Sequence, residues 1–129
     1  MNIYCAGKWN DRLQIRELMT KLENMGHTIT RDWTVHANVD NKYIDLDLRR
    51  YAVEDVQGVA DADILIAQVL DEHHYRGMWV EVGMALGQHK TVILVGNAGN
   101  SCIFSHHPLV IKLGSLEELY KYLTPKEGK

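Results

Sequence analysis

Short apolar runs alternate with helical patterns along this chain, and this alternation constrains the fold more than any other feature. Strands are expected at residues 2–6, 27–33, 64–69, 91–95 and 109–113, and helices at about 10–25, 45–60, 78–88 and 115–123. Strands that are apolar throughout are covered on both faces. The pattern therefore predicts one α/β domain over residues 1–129, a doubly wound, mostly parallel five-stranded sheet that is Rossmann-like or flavodoxin-like, with helices on both faces.

Local signals predict where several of these elements begin and end. Gly26 stands where a left-handed residue terminates a helix. Ser115 followed by Glu118 forms a capping-box pattern at the start of the last helix. Residues 34–43 are expected to form a loop and residues 124–129 a frayed tail.

Charge and composition argue against several classes of protein. The net charge of −3 over 129 residues does not favour binding to a nucleic-acid polymer, which depends on clustered Lys and Arg. The apolar runs are too short to cross a bilayer, and no signal peptide is visible, so we expect no membrane partner and a cytoplasmic location. Cys5 and Cys102 lack metal-ligand spacing and are expected to be reduced thiols. A small-molecule ligand fits these properties better.

Glu81 breaks the pattern of its helix, because it is the one charged side chain within residues 78–86. A helix that is apolar nearly all round is mostly buried, and a buried carboxylate is costly without compensation. We expect Glu81 in the first turn, where the helix dipole would favour the ionised form. Glu81 is then either a poorly solvated nucleophile or a carboxylate that complements the helix start or pairs with a lysine.

Asp55 is a second anomaly, since its helical spacing from Tyr51, Ala52 and Val59 places it inside the apolar stripe of a helix. An inward acid is either a cap or salt-bridge partner or a functional group that faces a cavity. Two carboxylates in different roles are what glycosidic chemistry needs, one to attack the anomeric carbon and one to handle protons at the leaving group.

Other local motifs give weaker evidence about function. Gly7-Lys8 lacks the glycine spacing and the following Ser or Thr of a phosphate-binding P-loop. The histidine pairs at 73–74 and 106–107 have no third ligand spaced to close a metal site, so we expect no metal. No glycine-rich dinucleotide fingerprint is present, and we expect no cofactor.

Three sequence features also follow one another in a fixed order. They are Ile3-Tyr4-Cys5-Ala6-Gly7, the acid Asp55 eight residues before Asp63, and Glu81-Val82-Gly83-Met84-Ala85. In order and spacing they resemble the nucleoside deoxyribosyltransferase family, including the close relatives that hydrolyse deoxynucleoside monophosphates. The resemblance extends from residue 3 to about residue 108.

The resemblance implies a role for three side chains. Glu81 would attack the anomeric carbon and form a covalent deoxyribosyl intermediate. Asp55 would supply or relay the proton of the leaving base, and Tyr4 would hold the nucleophile by a hydrogen bond. A second base or water would then attack from the vacated side, so that configuration is retained.

Substrate-binding positions are implied as well, namely Gly7, Lys8, Trp9, Arg76, Gly77 and Ser105. Trp9 resembles the aromatic residue that lines the base pocket in the transferase branch, although it could equally be a packing residue. Ser105 stands where relatives carry a polar group that reaches into a neighbouring subunit's site, which implies a homo-oligomer, a dimer or higher.

The match fails at Tyr75, where the transferases place an acid for the sugar hydroxyl and the monophosphate hydrolases a phosphate-binding serine. Lys8 and Arg76 could bind a phosphate instead, or could be solvated basic side chains in loops. Four functions stay open: transfer of deoxyribose between bases in nucleotide salvage, hydrolysis of deoxynucleoside monophosphates, nucleotide binding without catalysis, and a flavodoxin-like regulatory domain. The expected partners are a deoxynucleoside or deoxynucleotide and a free nucleobase.

Overall fold

A parallel five-stranded sheet forms the centre of the molecule. The computed structural model describes residues 1–35, 45–72 and 75–125, with the backbone alone at residues 45 and 46. The strands are β1 (Asn2–Ala6), β2 (Thr28–Ile29), β3 (Ile64–Gln68), β4 (Thr91–Val95) and β5 (Val110–Leu113), in the order β2-β1-β3-β4-β5. All four strand pairings are parallel, so the predicted fold class is confirmed.

Four α-helices cover the two faces of the sheet. They are α1 (Arg12–Asn24), α2 (Asp45–Asp61), α3 (Arg76–Gly87) and α4 (Leu116–Leu123). α2 and α3 pack against each other on one face. α1 and α4 meet on the other face, where the Lys21 ammonium lies 5.3 Å from the centroid of the Tyr120 ring. Among the described residues, three short 3-10 helices lie between these elements, at Trp9–Asp11, Trp33–Val35 and Ile103–His106.

The central strands are buried on both faces, as their continuous apolar sequences predict. Every side chain of β1 except Asn2 is fully buried, and β3 and β4 are buried along all but their first residues. Successive residues of a strand point to opposite faces. Tyr4 therefore faces α2 and α3, and its neighbour Cys5 faces α1 and α4. Cys5 and Cys102 are both unpaired thiols.

Two predicted helix ends are confirmed in detail. Gly26 has φ of 95°, and the Gly26 and His27 amides donate to the carbonyls of Glu23 and Leu22, which is a Schellman motif. At the start of α4, the Ser115 hydroxyl accepts from the Glu118 amide at 3.2 Å. The Glu118 carboxylate completes the cap by accepting from the Gly114 amide at 2.6 Å.

The second strand is shorter than predicted, because the chain turns away from the sheet soon after Ile29. Asp32 Oδ1 accepts a hydrogen bond from the Thr34 amide at 2.9 Å, which stabilises the 3-10 turn that begins at Trp33. The α3 helix begins earlier than predicted, at Arg76 and not at Met78. The expected loop at 34–43 lies outside the described residues beyond Val35, and the tail lies outside them beyond Pro125.

Within the ranges that the structure describes, no helix is both long enough and apolar enough to cross a membrane.

Candidate active site

A cleft of about 490 Å³ opens at the carboxyl edge of the sheet. β1 and β3 are neighbours there, while the chain leaves them in opposite directions, and such a switch point is where doubly wound sheets bind ligands. The cleft is lined by the loop after β1, the start of α3 and one face of α2. Its lining residues are Gly7, Lys8, Trp9, Trp33, Leu48, Tyr51, Asp55, Tyr75, Arg76, Gly77, Met78 and Glu81.

Tyr4 and Glu81 form a short hydrogen bond at the base of this cleft. The Tyr4 hydroxyl donates to Glu81 Oε2 at 2.6 Å. Tyr4 is fully buried on β1, and burial, together with the negative charge of Glu81, raises the pKa of its hydroxyl far above the usual value. Tyr4 therefore keeps its proton and acts as a donor, in the geometry that the resemblance implies.

The protonation of Glu81 differs from the sequence-based expectation. Burial raises its pKa from 4.5 to about 8; the hydrogen bond from Tyr4 opposes this rise and the charge of Asp55 adds to it. The expectation of an ionised carboxylate in the first helical turn is wrong, because α3 begins at Arg76 and Glu81 falls in the second turn. There the helix dipole acts weakly and desolvation dominates. At neutral pH the free protein carries Glu81 mostly protonated.

Asp55 enters the cleft from α2 and also forms an ion pair. Arg31 Nε lies 3.2 Å from Asp55 Oδ1, and Arg31 Nη1 lies 3.5 Å from Glu54 Oε2. The side chain of Asp55 is 29% exposed. Both alternatives left open by its position in the sequence are therefore realised together, since Asp55 is a salt-bridge partner and a cleft-lining acid.

Aromatic side chains form much of the cleft wall. Trp9 was expected from the sequence, whereas Trp33 and Tyr51 were missed. The Trp33 indole N–H donates to the Cys5 carbonyl at 2.7 Å, which fixes the ring beside β1. The sequence does place Tyr51 on the face of α2 that carries Asp55, one helical turn before it, but it does not predict that the ring lines the cleft.

The two basic residues of the cleft have different surroundings. Lys8 Nζ lies 2.7 Å from Asp71 Oδ2 and 4.8 Å from the centroid of the Tyr75 ring. The hydrogen bond to Asp71 is the largest of the effects that raise the pKa of Lys8. Arg76 is exposed at the first residue of α3. A phosphate that binds Lys8 would have to compete with Asp71. Arg76 is exposed to solvent, where a phosphate could reach it.

Tyr75, the position that departs from the family pattern, is buried and bridges two loops. Its hydroxyl accepts from the Leu70 amide at 2.8 Å and donates to Asp11 Oδ2 at 3.1 Å. These bonds join the loop after β3 to the turn that precedes α1. The hydroxyl of Tyr75 is thus committed to holding the cleft walls together.

Ser105 lies apart from the residues that line the cleft. It is 1% exposed within the third 3-10 helix, and its hydroxyl has no hydrogen-bond partner among the described residues. Its implied role in a neighbouring subunit's site stays a prediction, and that role would require the side chain to become exposed. His106 and His107 bond the Asn100 carbonyl and the Leu109 amide, and the pair at 73–74 lies outside the described residues.

The cleft opens at the switch point in the strand order, which is where doubly wound α/β proteins bind ligands. The model of the nucleoside 2-deoxyribosyltransferase family matches residues 3–113, and the chain belongs to that family. The match includes Tyr4, Asp55 and Glu81. A search of curated proteins found no match.

Among solved structures, the chain is similar to the CMP N-glycosidase BcmB of Clostridium botulinum. The two are 21% identical, with a TM-score of 0.68 over 95% of this chain and 100% of the other. At this identity the likeness supports the fold alone. The family and this neighbour are enzymes that act on N-glycosidic bonds.

Proposed function

We propose that this chain cleaves the N-glycosidic bond of 2′-deoxynucleosides through a covalent deoxyribosyl–Glu81 intermediate and transfers the deoxyribosyl group to another nucleobase. The observation that carries this proposal is the Tyr4–Glu81 hydrogen bond at the base of a cleft that Asp55 also lines. The family match, which spans all three residues, supports it.

In the first step, a Glu81 carboxylate oxygen attacks the anomeric carbon from the face opposite the base. A carbon–oxygen ester bond forms while the carbon–nitrogen bond breaks, and its electron pair leaves with the base. The base takes up a proton that Asp55 supplies or relays. Tyr4 keeps the attacking carboxylate in place, since its own hydroxyl does not ionise near neutral pH.

In the second step, a nitrogen of the acceptor base attacks the same carbon from the side that the first base vacated. The ester bond breaks, Glu81 regains its carboxylate, and the proton of the acceptor nitrogen passes to Asp55. Two inversions give overall retention of configuration. The aromatic rings of Trp9, Trp33 and Tyr51 offer apolar surface for either base.

The raised pKa of Glu81 fits a nucleophile that is poorly solvated. With a pKa of about 8, roughly one molecule in ten carries the carboxylate at pH 7. The ionised fraction lacks a full hydration shell, so attack requires little loss of bound water. Activity should therefore depend on pH in the range where this carboxyl titrates.

Hydrolysis of deoxynucleoside 5′-monophosphates is the alternative, with water in place of the acceptor base. The exposed Arg76 side chain at the cleft favours it, because a guanidinium can bind a phosphate. A nucleotide-binding domain without catalysis is the third candidate. The Tyr4, Asp55 and Glu81 set argues against it, because binding alone does not need a desolvated carboxylate.

Chromatography of the released bases separates these functions. The purified protein is incubated with deoxyinosine, with deoxyinosine and free adenine, and with deoxynucleoside monophosphates. We expect deoxyadenosine to form only when adenine is added. Free base from a monophosphate without an acceptor would favour the hydrolase, and ligand binding without turnover would favour the non-catalytic domain.

Glu81→Gln tests the nucleophile directly. We expect turnover to be abolished with the fold retained, and Glu117→Gln on the exposed side of α4 to leave activity unchanged. With a slow fluorinated deoxynucleoside analogue, mass spectrometry should detect a deoxyribosyl adduct on Glu81. Normal turnover by Glu81→Gln would contradict the mechanism, and unfolding would point to a structural role. Homo-oligomerisation, the single-domain extent, the cytoplasmic location and the role in nucleotide salvage stay predictions.

A further inference from the structure

Arg31 is the residue on which this inference rests. It follows the short β2 strand, and its side chain is 17% exposed. Its guanidinium contacts two successive acids of α2, with Nε 3.2 Å from Asp55 Oδ1 and Nη1 3.5 Å from Glu54 Oε2. Glu54 is the more exposed of the two acids, at 41% against 29%. The guanidinium therefore joins the edge of the sheet to the acid that lines the cleft.

Gly58 allows this contact. A Cβ atom at Gly58 would lie 2.6 Å from Arg31 Cβ and 3.0 Å from Tyr4 Cε1. One glycine on α2 therefore makes room for the stem of Arg31 and the ring of Tyr4 together. Tyr4 holds Glu81, and Arg31 holds Asp55, so the two carboxylates are anchored by side chains that pack side by side under the same helix.

We propose that Arg31 is a positioning residue that fixes the carboxylate of Asp55 at the leaving base. This inference rests on the proposed function. An acid on a helix surface samples several rotamers, and a proton donor must stay within hydrogen-bonding reach of its target. The rigid planar guanidinium restricts the carboxylate more than a flexible ammonium would.

This role makes the effect of Arg31 depend on the leaving group. Hypoxanthine must gain a proton as the glycosidic bond breaks. A purine base methylated at N7 already carries a positive charge in the nucleoside and departs as a neutral molecule without a proton. Loss of the Arg31 contact should therefore slow the first substrate and spare the second.

The experiment compares Arg31→Met, Arg31→Lys and the control Glu54→Gln in single-turnover release of the first base, without an acceptor, from deoxyinosine and from an N7-methylated purine deoxynucleoside. Arg31→Met should lower the maximal rate of base release from deoxyinosine by roughly tenfold to a hundredfold, which is part of the roughly hundredfold to ten-thousandfold that a general acid contributes, and should change the half-saturating substrate concentration little. On the methylated substrate it should match the wild type. Arg31→Lys should recover part of the loss, and Glu54→Gln should resemble the wild type because it leaves the Asp55 contact intact.

The outcomes separate this inference from the proposed function. A wild type inactive on both substrates overturns both. An active wild type with equal losses on the two substrates, or an unaffected Arg31→Met, overturns the positioning role alone. If Arg31→Met does not fold, Arg31→Lys is decisive, because a leaving-group-dependent loss supports the inference and a uniform one contradicts it. Circular dichroism monitors folding in each case.

Discussion

The Tyr4 hydroxyl and the Glu81 carboxylate lie 2.6 Å apart, although 77 positions separate them in the chain. The bond joins β1 to α3 across the point where the connections of the sheet diverge. It also opposes the effect of burial, because a hydrogen bond to the charged form lowers the pKa of a carboxyl that desolvation has raised. Both the position and the titration of Glu81 therefore depend on Tyr4.

Tyr4→Phe tests this dependence. The change removes the donor and keeps the ring, so the pKa of Glu81 should rise above about 8. The pH profile of kcat/KM should move to higher pH, and the rate at pH 7 should fall roughly tenfold for each unit of that shift. Tyr122→Phe, at an exposed position of α4, is the control. A drop of equal size at every pH would show that Tyr4 orients Glu81 without tuning it.

The wild-type enzyme should show the titration of Glu81 in its activity. Attack requires the carboxylate, and the free protein has a pKa of about 8 at this residue. We expect kcat/KM to rise about tenfold per pH unit from pH 6 to pH 7.5 and to level off above pH 8. Initial rates on an N7-methylated purine deoxynucleoside with adenine would check this, because that leaving base needs no proton from Asp55 and kcat/KM then depends on the ionisation of Glu81. A profile that is flat between pH 6 and pH 8 would contradict the assignment of Glu81 as the group that must ionise.

Glu81→Gln should also change how stability depends on pH. The folded pKa lies above the unfolded value of 4.5, so the folded state binds more protons between about pH 4.5 and pH 8. Wild-type stability should therefore fall as pH rises through this window, by roughly 5 kcal/mol at most, since each pKa unit corresponds to about 1.4 kcal/mol, and level off above it. Glutamine does not titrate, so the free energy of unfolding of the variant should increase relative to that of the wild type as the pH increases. Urea unfolding at pH 5 and pH 8 measures the stability difference between the variant and the wild type. The same difference at both pH values would contradict this prediction.

Gly58→Ala should be destabilising and should also impair catalysis. The new methyl group would overlap Arg31 and approach the Tyr4 ring, forcing α2 outward at a cost of about 1–3 kcal/mol. Gly83→Ala in α3 is the matched control, since a Cβ there meets nothing within 4 Å. That control should stabilise by about 0.5–1 kcal/mol, because alanine favours helix more than glycine does. Thermal unfolding compares the stability of the two variants. Equal effects would show that the space at Gly58 accommodates a methyl group.

Much of the fold follows from residues that are adjacent in sequence. The uninterrupted apolar run at residues 64–69 predicts a strand covered on both faces, and β3 is one. The terminations at Gly26 and Ser115 depend on local backbone geometry, and both were predicted. The length of β2 was not predicted, because the side chain of Asp32 binds the Thr34 amide and stabilises a turn where the strand was expected to continue.

The candidate site was predictable in its acids and less so in their surroundings. Glu81 and Asp55 stand out because a charge in an apolar pattern is visible without a structure. Arg31 gives no such signal, since an arginine after a strand is ordinary until a helix packs over it. Tyr75 and Asp11 likewise meet only when two loops are folded together.

The sequence alone determined the parallel sheet, the edge where the cleft opens and the two carboxylates that interrupt the apolar patterns of their helices, because hydrophobic periodicity and turn chemistry act over a few neighbouring residues. The tertiary structure alone decided that Glu81 is held by Tyr4 and titrates near pH 8, and that Asp55 is anchored by Arg31. Those properties arise from desolvation and from contacts between distant parts of the chain. The pKa of Glu81 and the contacts of both carboxylates are therefore set only when the helices pack against the sheet.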